Sequence, residues 1–429
     1  MLIGLFVGLL VMIFIGVPVI LAMGLVGLAG IMVMPDLRLP LFPQKMFTTL
    51  DSFSLLALPY FILAGELMTA GGISRRLVDF ADTLVGHRRG GLAHSTIVSS
   101  MIFAGVSGSS TADTTAIGSV LIPAMKERGY KAGYAASLTA VAGTIGAIIP
   151  PSMTMIVYGS LANVSIGALF LGGIIPGLLV GFGLMGLVYW HSLNKERYPE
   201  LQKSEHPFEL RRMLSAMVRV WAALLAPCII IAGILGGVFT ATEAGVVVCI
   251  YAFAVSFLIY RTITLKDLPH LFVNAAIMTC MVAGIIGIAG GFGWLLSYVN
   301  FNQMVLNEIL GITDSAIVVF LLLIGAMLIL TMFVDSMAIL IITVPVAVFI
   351  AQRFGIDPIH LGLAIVMATQ IGSTTPPVAV LLFVASSIAK CPYRETVRYC
   401  WPFILVEIAI LLLVILIPPL AVWIPSLVF

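Results

Sequence analysis

Nine consecutive residues, Gly105-Val106-Ser107-Gly108-Ser109-Ser110-Thr111-Ala112-Asp113, set four hydroxyls, two glycines and one acid side by side in an otherwise apolar region. Hydroxyl and carbonyl oxygens suit a hard monovalent cation, and backbone N–H groups freed at a helix start suit an anionic group. The string Ile-Gly-x-x-x-Pro-Pro occurs at 145–151 and again at 371–377, with Pro176 and Pro402 following at the same distance. Two adjacent prolines remove backbone hydrogen bonds from a helix. Carbonyls around Gly146–Pro151 and Gly372–Pro377 should therefore come free to complete a cation site with a neighbouring tip. Asp113 precedes Pro123 by ten residues and Asp335 precedes Pro345 by ten, so the two acids are expected at equivalent positions, as helix caps or ion-site groups. Glu66, Glu243 and Glu407 are further intramembrane acids. Glu243 follows Thr240 by three and reads as a capping box, while Glu66 fits either an ion pair or a proton site. The plainer reading of 105–113 is a Ser/Gly-rich packing surface, against which the duplicated breaks weigh. No G-x-x-x-x-G-K-[ST], H-E-x-x-H or G-x-S-x-G string occurs, and no paired catalytic acids or metal-ligand cluster emerges, so an enzyme is not expected.

The elements that position these residues lie in a membrane. Hydrophobic residues make up 61% of the chain and charged ones 9%, against roughly 25% charged in soluble domains. Apolar segments run 1–16, 18–34, 53–70, 92–106, 110–125, 133–165, 166–193, 217–239, 243–260, 270–299, 316–331, 335–351, 358–389 and 400–428. A spanning helix needs about 20 residues. The short segments 92–106, 110–125, 316–331 and 335–351 therefore fit as arms of two re-entrant hairpins, with 133–165 and 358–389 as Pro-Pro-broken helices. Residues 1–34 form two short helices turning near Gly16-Val17-Pro18, or one long tilted helix. The stretch Gly72–Arg89 is amphipathic and reads as an interfacial helix, or else as an ordinary loop, with Asn302–Leu310 as its counterpart. The first apolar segment carries no cleavage signal and should be retained. Cys228, Cys249, Cys280, Cys391 and Cys400 show no C-x-x-C spacing and read as buried free thiols. His94 reads as a hydrogen-bonded structural histidine. Trp190, Trp401 and Trp423 read as interface anchors. Gly362, ahead of the second break, should meet only ordinary packing.

Basic residues orient the chain. Lys195, Arg197, Lys203, Arg211, Arg212 and Arg219 place the longest polar loop on the cytoplasmic side. Arg75, Arg76, Arg88 and Arg89 should join them, as should Lys126, Arg128 and Lys131, Arg261 and Lys266, and Lys390, Arg394 and Arg398. Between Asp267 and Gln352 there is neither Lys nor Arg, so 300–315 is external. The first hairpin then opens from the cytoplasmic side and the second from outside. The expected fold is an all-α polytopic membrane protein of two inverted repeats, 1–193 and 217–429, joined by a cytoplasmic linker at 194–216. Duplicated halves with broken helices are a sign of a secondary transporter with its binding site near the bilayer midplane.

SGSSTADTTAIGSVLIPAM (107–125), IGAIIPPSMTMIVYG (145–159), FTATEAG (239–245), MFVDSMAILIITVPV (332–346) and IGSTTPPVAVLLFV (371–384) together resemble the large membrane subunit of tripartite ATP-independent periplasmic (TRAP) transporters. The resemblance spans essentially the whole chain. It implies a scaffold and a transport domain moving as an elevator in the bacterial inner membrane, coupled to Na+. It implies two partners, a small four-helix membrane subunit, not expected to be fused here, and a periplasmic substrate-binding protein. No nucleic acid is expected, and the lipid bilayer is the solvent. Carried onto this chain, the first sodium site falls on Ser107, Ser110, Gly146, Ile149 and Pro151. The second falls on the Met332–Asp335 tip, including Asp335, with Gly372, Thr375 and Pro377. The substrate would sit between the tips, within reach of Ser109, Thr111, Asp113, Thr154, Ser373 and Thr374. Where the family often has Pro after the tip aspartate, this chain has Ser336. The expected cargo is an organic acid such as a sialic acid, a sugar acid or a C4-dicarboxylate. A stand-alone sodium–dicarboxylate symporter and a non-transporting scaffold are the rival readings.

Overall fold

The structure, a computed structural model, describes residues 2–34, 36–202 and 207–428, so Lys203 lies outside the described residues. Among these the regular elements are all helical, and seven helices are long and apolar enough to cross a membrane. Residues 2–34 form two helices, Leu2–Phe14 and Val19–Val33, separated at Gly16 and capped by Pro18. The hairpin arms are Gly91–Ser107 with Ser110–Glu127, and Ala316–Thr331 with Ser336–Arg353. The first broken helix runs Ala132–Gly143, tightens into a 3₁₀ turn at Thr144–Ala147 and resumes at Met153–Ala162. The second runs Pro358–Thr374 and resumes at Val380–Ala389. Ser110 and Ser336 begin the second arms, Glu127 and Arg353 end them, and Ala132 and Pro358 begin the broken helices. Each pair is separated by the same interval as Gly146 and Gly372.

That interval corrects one expectation. The partner of Asp335 is Ser109, since both are N-caps of second arms: Asp335 accepts from the Met337 and Ala338 N–H groups, and Ser109 from that of Ala112. Asp113 lies about one helical turn further on. The matching Asp–Pro spacing therefore does not mark equivalent positions.

The basic segments gather at one end. Lys126 Nζ donates to the Ala389 carbonyl at 2.6 Å, the Gly133 N–H donates to Glu395 Oε1 at 3.1 Å, and Arg212 pairs with Asp82 at 3.5 Å. Tyr134, fully buried, packs there among His191, Tyr198, Tyr399 and Phe403 with ring centroids 5.6–6.1 Å away. Such aromatic pairs contribute about 0.5–1.5 kcal/mol each beyond their buried area. Tyr158, near the far end of the first broken helix, donates to the Pro358 carbonyl at the start of the second. The two broken helices thus run in opposite directions, and the hairpins open toward opposite ends.

The amphipathic stretch forms Ile73–Val85, with Ile73, Leu77, Phe80 and Ala81 buried and Leu84 half-buried; its counterpart is Phe301–Ile312. Thr240 and Glu243 make the capping box. Several boundaries differ from expectation. A helix at Leu41–Leu50, unmarked in the sequence reading, seats Phe42 against Gly27 and Gly291. The span expected at 217–239 begins at Leu210, taking the solvated Arg211 and Arg212 into its first turn. The last span is Tyr393–Leu416, which Pro418 and Pro419 stop well short of residue 428. All five cysteines are free, but Cys228 and Cys280 are exposed on the apolar surface and only Cys400 is buried. His94 is buried with no partner for Nδ1, so that nitrogen does not make the expected hydrogen bond. Gly362 also departs from expectation: a side chain there would strike the Tyr158 ring.

Candidate functional site

Each hairpin tip docks on the Pro-Pro break of its own half. The Met153 N–H donates to the Gly108 carbonyl at 3.2 Å, and the Val378 N–H donates to the Met332 carbonyl at 3.3 Å. Gly108 has a φ of 64°, and a Cβ there would lie 2.6 Å from the Pro151 carbonyl oxygen. Both the turn and the close approach therefore require glycine. Gly146 faces the Asp113 carboxylate, and Gly372 faces the Thr331 hydroxyl in the last turn of an arm. Side-chain-free contacts of this kind let the backbone of a broken helix lie directly on a hairpin. Both Pro-Pro bonds, 150–151 and 376–377, are cis.

Between the two tips lies a cavity of about 110 Å³. Of the residues expected to hold substrate, Ser109, Thr111, Thr154 and Ser373 line it. So do Ser110 and Asp335 from the expected cation sets, together with Gly108, Thr331, Ser336 and Gln370. Two residues expected to contact the substrate are not among those that line the cavity. Thr374 is buried inside its helix with its hydroxyl donating to the Ile371 carbonyl, and it does not reach the cavity. Asp113 is fully buried behind the tip, accepts from the Ser107 hydroxyl through Oδ1, and has no partner for Oδ2. It therefore sits among Ser107 and Gly146, on the side of the expected cation set. Ile149 tucks against Gly177, and Pro151 is buried beside Gly108. In the second half Thr375 donates to the Ile371 carbonyl at 2.7 Å, and Pro377 is exposed.

Gln370 is the main lining residue that the sequence reading missed. The signal was an amide two residues past the apolar run Leu361–Ala368, in the same predicted broken helix, since such groups in membrane helices face protein or a cavity. Its Oε1 accepts from Ser110 Oγ at 2.5 Å, bridging the two halves. Thr144 holds the corresponding place in the first broken helix and donates to the fully buried Glu407 of the last span. The cavity lining contains one acid, Asp335, and no Lys, Arg or His. It offers hydroxyls, an amide and backbone ends, which can bind and release a small polar solute but supply no nucleophile–base pair. No three His, Cys, Asp or Glu side chains that could hold a metal ion meet among the described residues.

A family model described as "Tripartite ATP-independent periplasmic transporter, DctM component" matches residues 6–420. The chain is 37% identical over 407 residues to the isethionate TRAP transporter permease protein DctMQ of Oleidesulfovibrio alaskensis, covering 94% of this chain and 63% of that one. It is 37% identical to the 2,3-diketo-L-gulonate TRAP transporter large permease protein YiaN of Escherichia coli, covering 95% and 94%. It is 35% identical to the sialic acid TRAP transporter large permease protein SiaM of Vibrio cholerae, covering 99% and 98%. Among solved structures, MtrF of Neisseria gonorrhoeae, described as illuminating a class of antimetabolite efflux pumps, superposes with a TM-score of 0.59. That match has 14% identity and covers 86% of this chain and 82% of that one, a likeness of fold.

Proposed function

The chain belongs to the DctM component family of the tripartite ATP-independent periplasmic transporters, and on that premise we propose that it is a sodium-coupled permease for an organic acid. The observation that carries this reading is the cavity lying between two hairpin tips, each docked on its own Pro-Pro break. The cargo class is that of the relatives: sialic acid, a sugar acid such as 2,3-diketo-L-gulonate, or a C4-dicarboxylate. The chain acts in the inner membrane with a small four-helix subunit and a periplasmic binding protein that delivers the acid.

Two inverted repeats account for the opposed broken helices and for the gathering of basic segments at one, cytoplasmic, end. The first cation lies among Ser107, Ser110, Gly146, Ile149 and Pro151. The residues fit such an ion: Asp113 Oδ2 is a buried carboxyl oxygen without a partner among the described residues, which a cation would satisfy. The second lies among the Met332–Asp335 tip, Gly372, Thr375 and Pro377. The acid binds between the tips through Ser109, Thr111, Thr154 and Ser373. Bound cations offset its charge across the tip backbone, so the loaded body crosses the membrane as a neutral or weakly charged unit, moving as an elevator against the scaffold helices.

The test is uptake of isethionate, 2,3-diketo-L-gulonate, sialic acid and succinate by proteoliposomes holding the chain and its small subunit, with and without the binding protein. Uptake that needs both the binding protein and sodium supports the reading. Uptake by the chain without a binding protein makes it a stand-alone symporter.

A further inference from the structure

We propose that Gln370 recognises the acid and that Ser110 sets its amide, so that cation and substrate are linked through one hydrogen bond joining the two halves. This inference rests on the transport reading above and names the group that couples its two ligands.

Gln370 is 4% exposed, and what it exposes faces the cavity. Its Oε1 accepts from Ser110 Oγ at 2.5 Å, while Nε2 donates to no protein atom among the described residues. A primary amide carries two N–H donors on nitrogen and acceptor capacity on oxygen. With Oε1 turned to Ser110, the nitrogen is the end left for a solute. The lining has no Lys, Arg or His to meet a carboxylate or sulfonate. Several of its hydroxyls are committed elsewhere: Ser373 donates to the Gln370 carbonyl at 2.7 Å, and Thr331 donates to the Met327 carbonyl at 2.8 Å. Ser109 and Thr111 share one hydrogen bond at 3.1 Å. Gln370 Nε2 is therefore a side-chain N–H donor left free to meet an acid, beside the backbone N–H groups of the tip helix starts.

The link to the cation follows from the chemistry of a hydroxyl. Ser110 Oγ has one proton and two lone pairs. When a lone pair faces a cation, the proton must point away and be donated, here to Gln370 Oε1. That fixes the amide with its nitrogen toward the cavity. Without the cation the hydroxyl can accept instead, and the amide can turn its oxygen inward, where it repels an acid. A cation at the first break thus selects the amide orientation that binds an anion. By linkage, the acid strengthens cation binding by the same factor, typically about 5–150-fold for coupled sites.

The experiment compares wild type, Gln370→Met, Gln370→Glu, Ser110→Ala and the Ser110→Ala/Gln370→Met double variant, each purified with the small subunit. Two readouts are taken. One is the KM for uptake of isethionate, 2,3-diketo-L-gulonate and sialic acid at low and saturating sodium. The other is the rise in melting temperature given by sodium over choline, with and without each acid. Gln370→Met should keep the sodium-induced rise, lose its enhancement by acid, and raise KM about tenfold or more, with KM no longer falling as sodium rises. Gln370→Glu should lose uptake altogether while still melting later in sodium. The double variant should be no worse than the poorer single one. Wild-type KM and sodium dependence in Gln370→Met, or additive losses in the double variant, would overturn the link. If wild type itself takes up none of the acids with sodium, the transport reading fails instead, so the two failures are distinguishable.

Discussion

Replacing Gly372 by alanine tests whether the second break must lie directly on its hairpin. A Cβ at 372 would strike the Thr331 hydroxyl, 2.7 Å from the Thr331 Cβ and 2.9 Å from the Leu328 carbonyl oxygen. Neither of the latter atoms can move without shifting the arm. Thr331 is held by donating to the Met327 and Leu328 carbonyls at 2.8 and 3.0 Å, so turning it aside costs about 1 kcal/mol. Forcing one extra carbon into such a contact costs about 2 kcal/mol. Alanine in a helix interior recovers about 1 kcal/mol relative to glycine. The net penalty of about 2 kcal/mol falls on the docked geometry of tip and break, and corresponds to about a 30-fold loss of transport. Initial sodium-driven uptake in proteoliposomes is the assay, normalised to complex recovered with the small subunit. Gly325→Ala, where an added Cβ meets nothing within 4 Å, is the control. Thr331→Ala in the Gly372→Ala background should restore part of the loss by removing the hydroxyl. Near-normal uptake by Gly372→Ala, or equal loss in Gly325→Ala, refutes the reasoning.

Three further outcomes are expected. Ser107→Ala removes the hydroxyl donated to Asp113, and should raise the sodium concentration for half-maximal uptake about tenfold, as loss of a charge-assisted hydrogen bond predicts; an unchanged sodium curve in an assembled complex removes Ser107 from the site. Thr144→Val leaves the buried Glu407 without its donor and should lower stability by about 1–3 kcal/mol, read as a melting-temperature drop that Thr144→Ser does not show. With all five native cysteines replaced, single cysteines at the exposed Lys195 and Asn307 should react with an impermeant maleimide from opposite faces; labelling from one face contradicts the inverted arrangement.

Local chemistry written along the chain was legible: the Pro-Pro strings gave both breaks, short apolar runs gave the hairpin arms, and Thr240 with Glu243 gave a cap. What depends on packing across helices was not. Asp113 and Asp335 share a spacing to proline, but the cap position is fixed by where each arm begins, and the first tip turns in fewer residues than the second. Thr374 lies beside the cavity-lining Ser373 in sequence, yet helical rotation turns it into the protein. Gly362 carries no mark of the Tyr158 ring laid against it, because that contact joins two distant segments. Leu41–Leu50 escaped notice since Pro43, Gln44 and Lys45 interrupt its apolar pattern. Glu407 was visible as an intramembrane acid, but its partner Thr144 could come only from the fold.

The central claim is most directly tested by measuring accumulation of the acids in proteoliposomes that hold the complete complex, with sodium outside and potassium inside, and with no ATP. The account predicts accumulation above the external concentration that collapses when a sodium ionophore dissipates the gradient. Equal accumulation with choline in place of sodium, or none unless ATP is supplied, would contradict it.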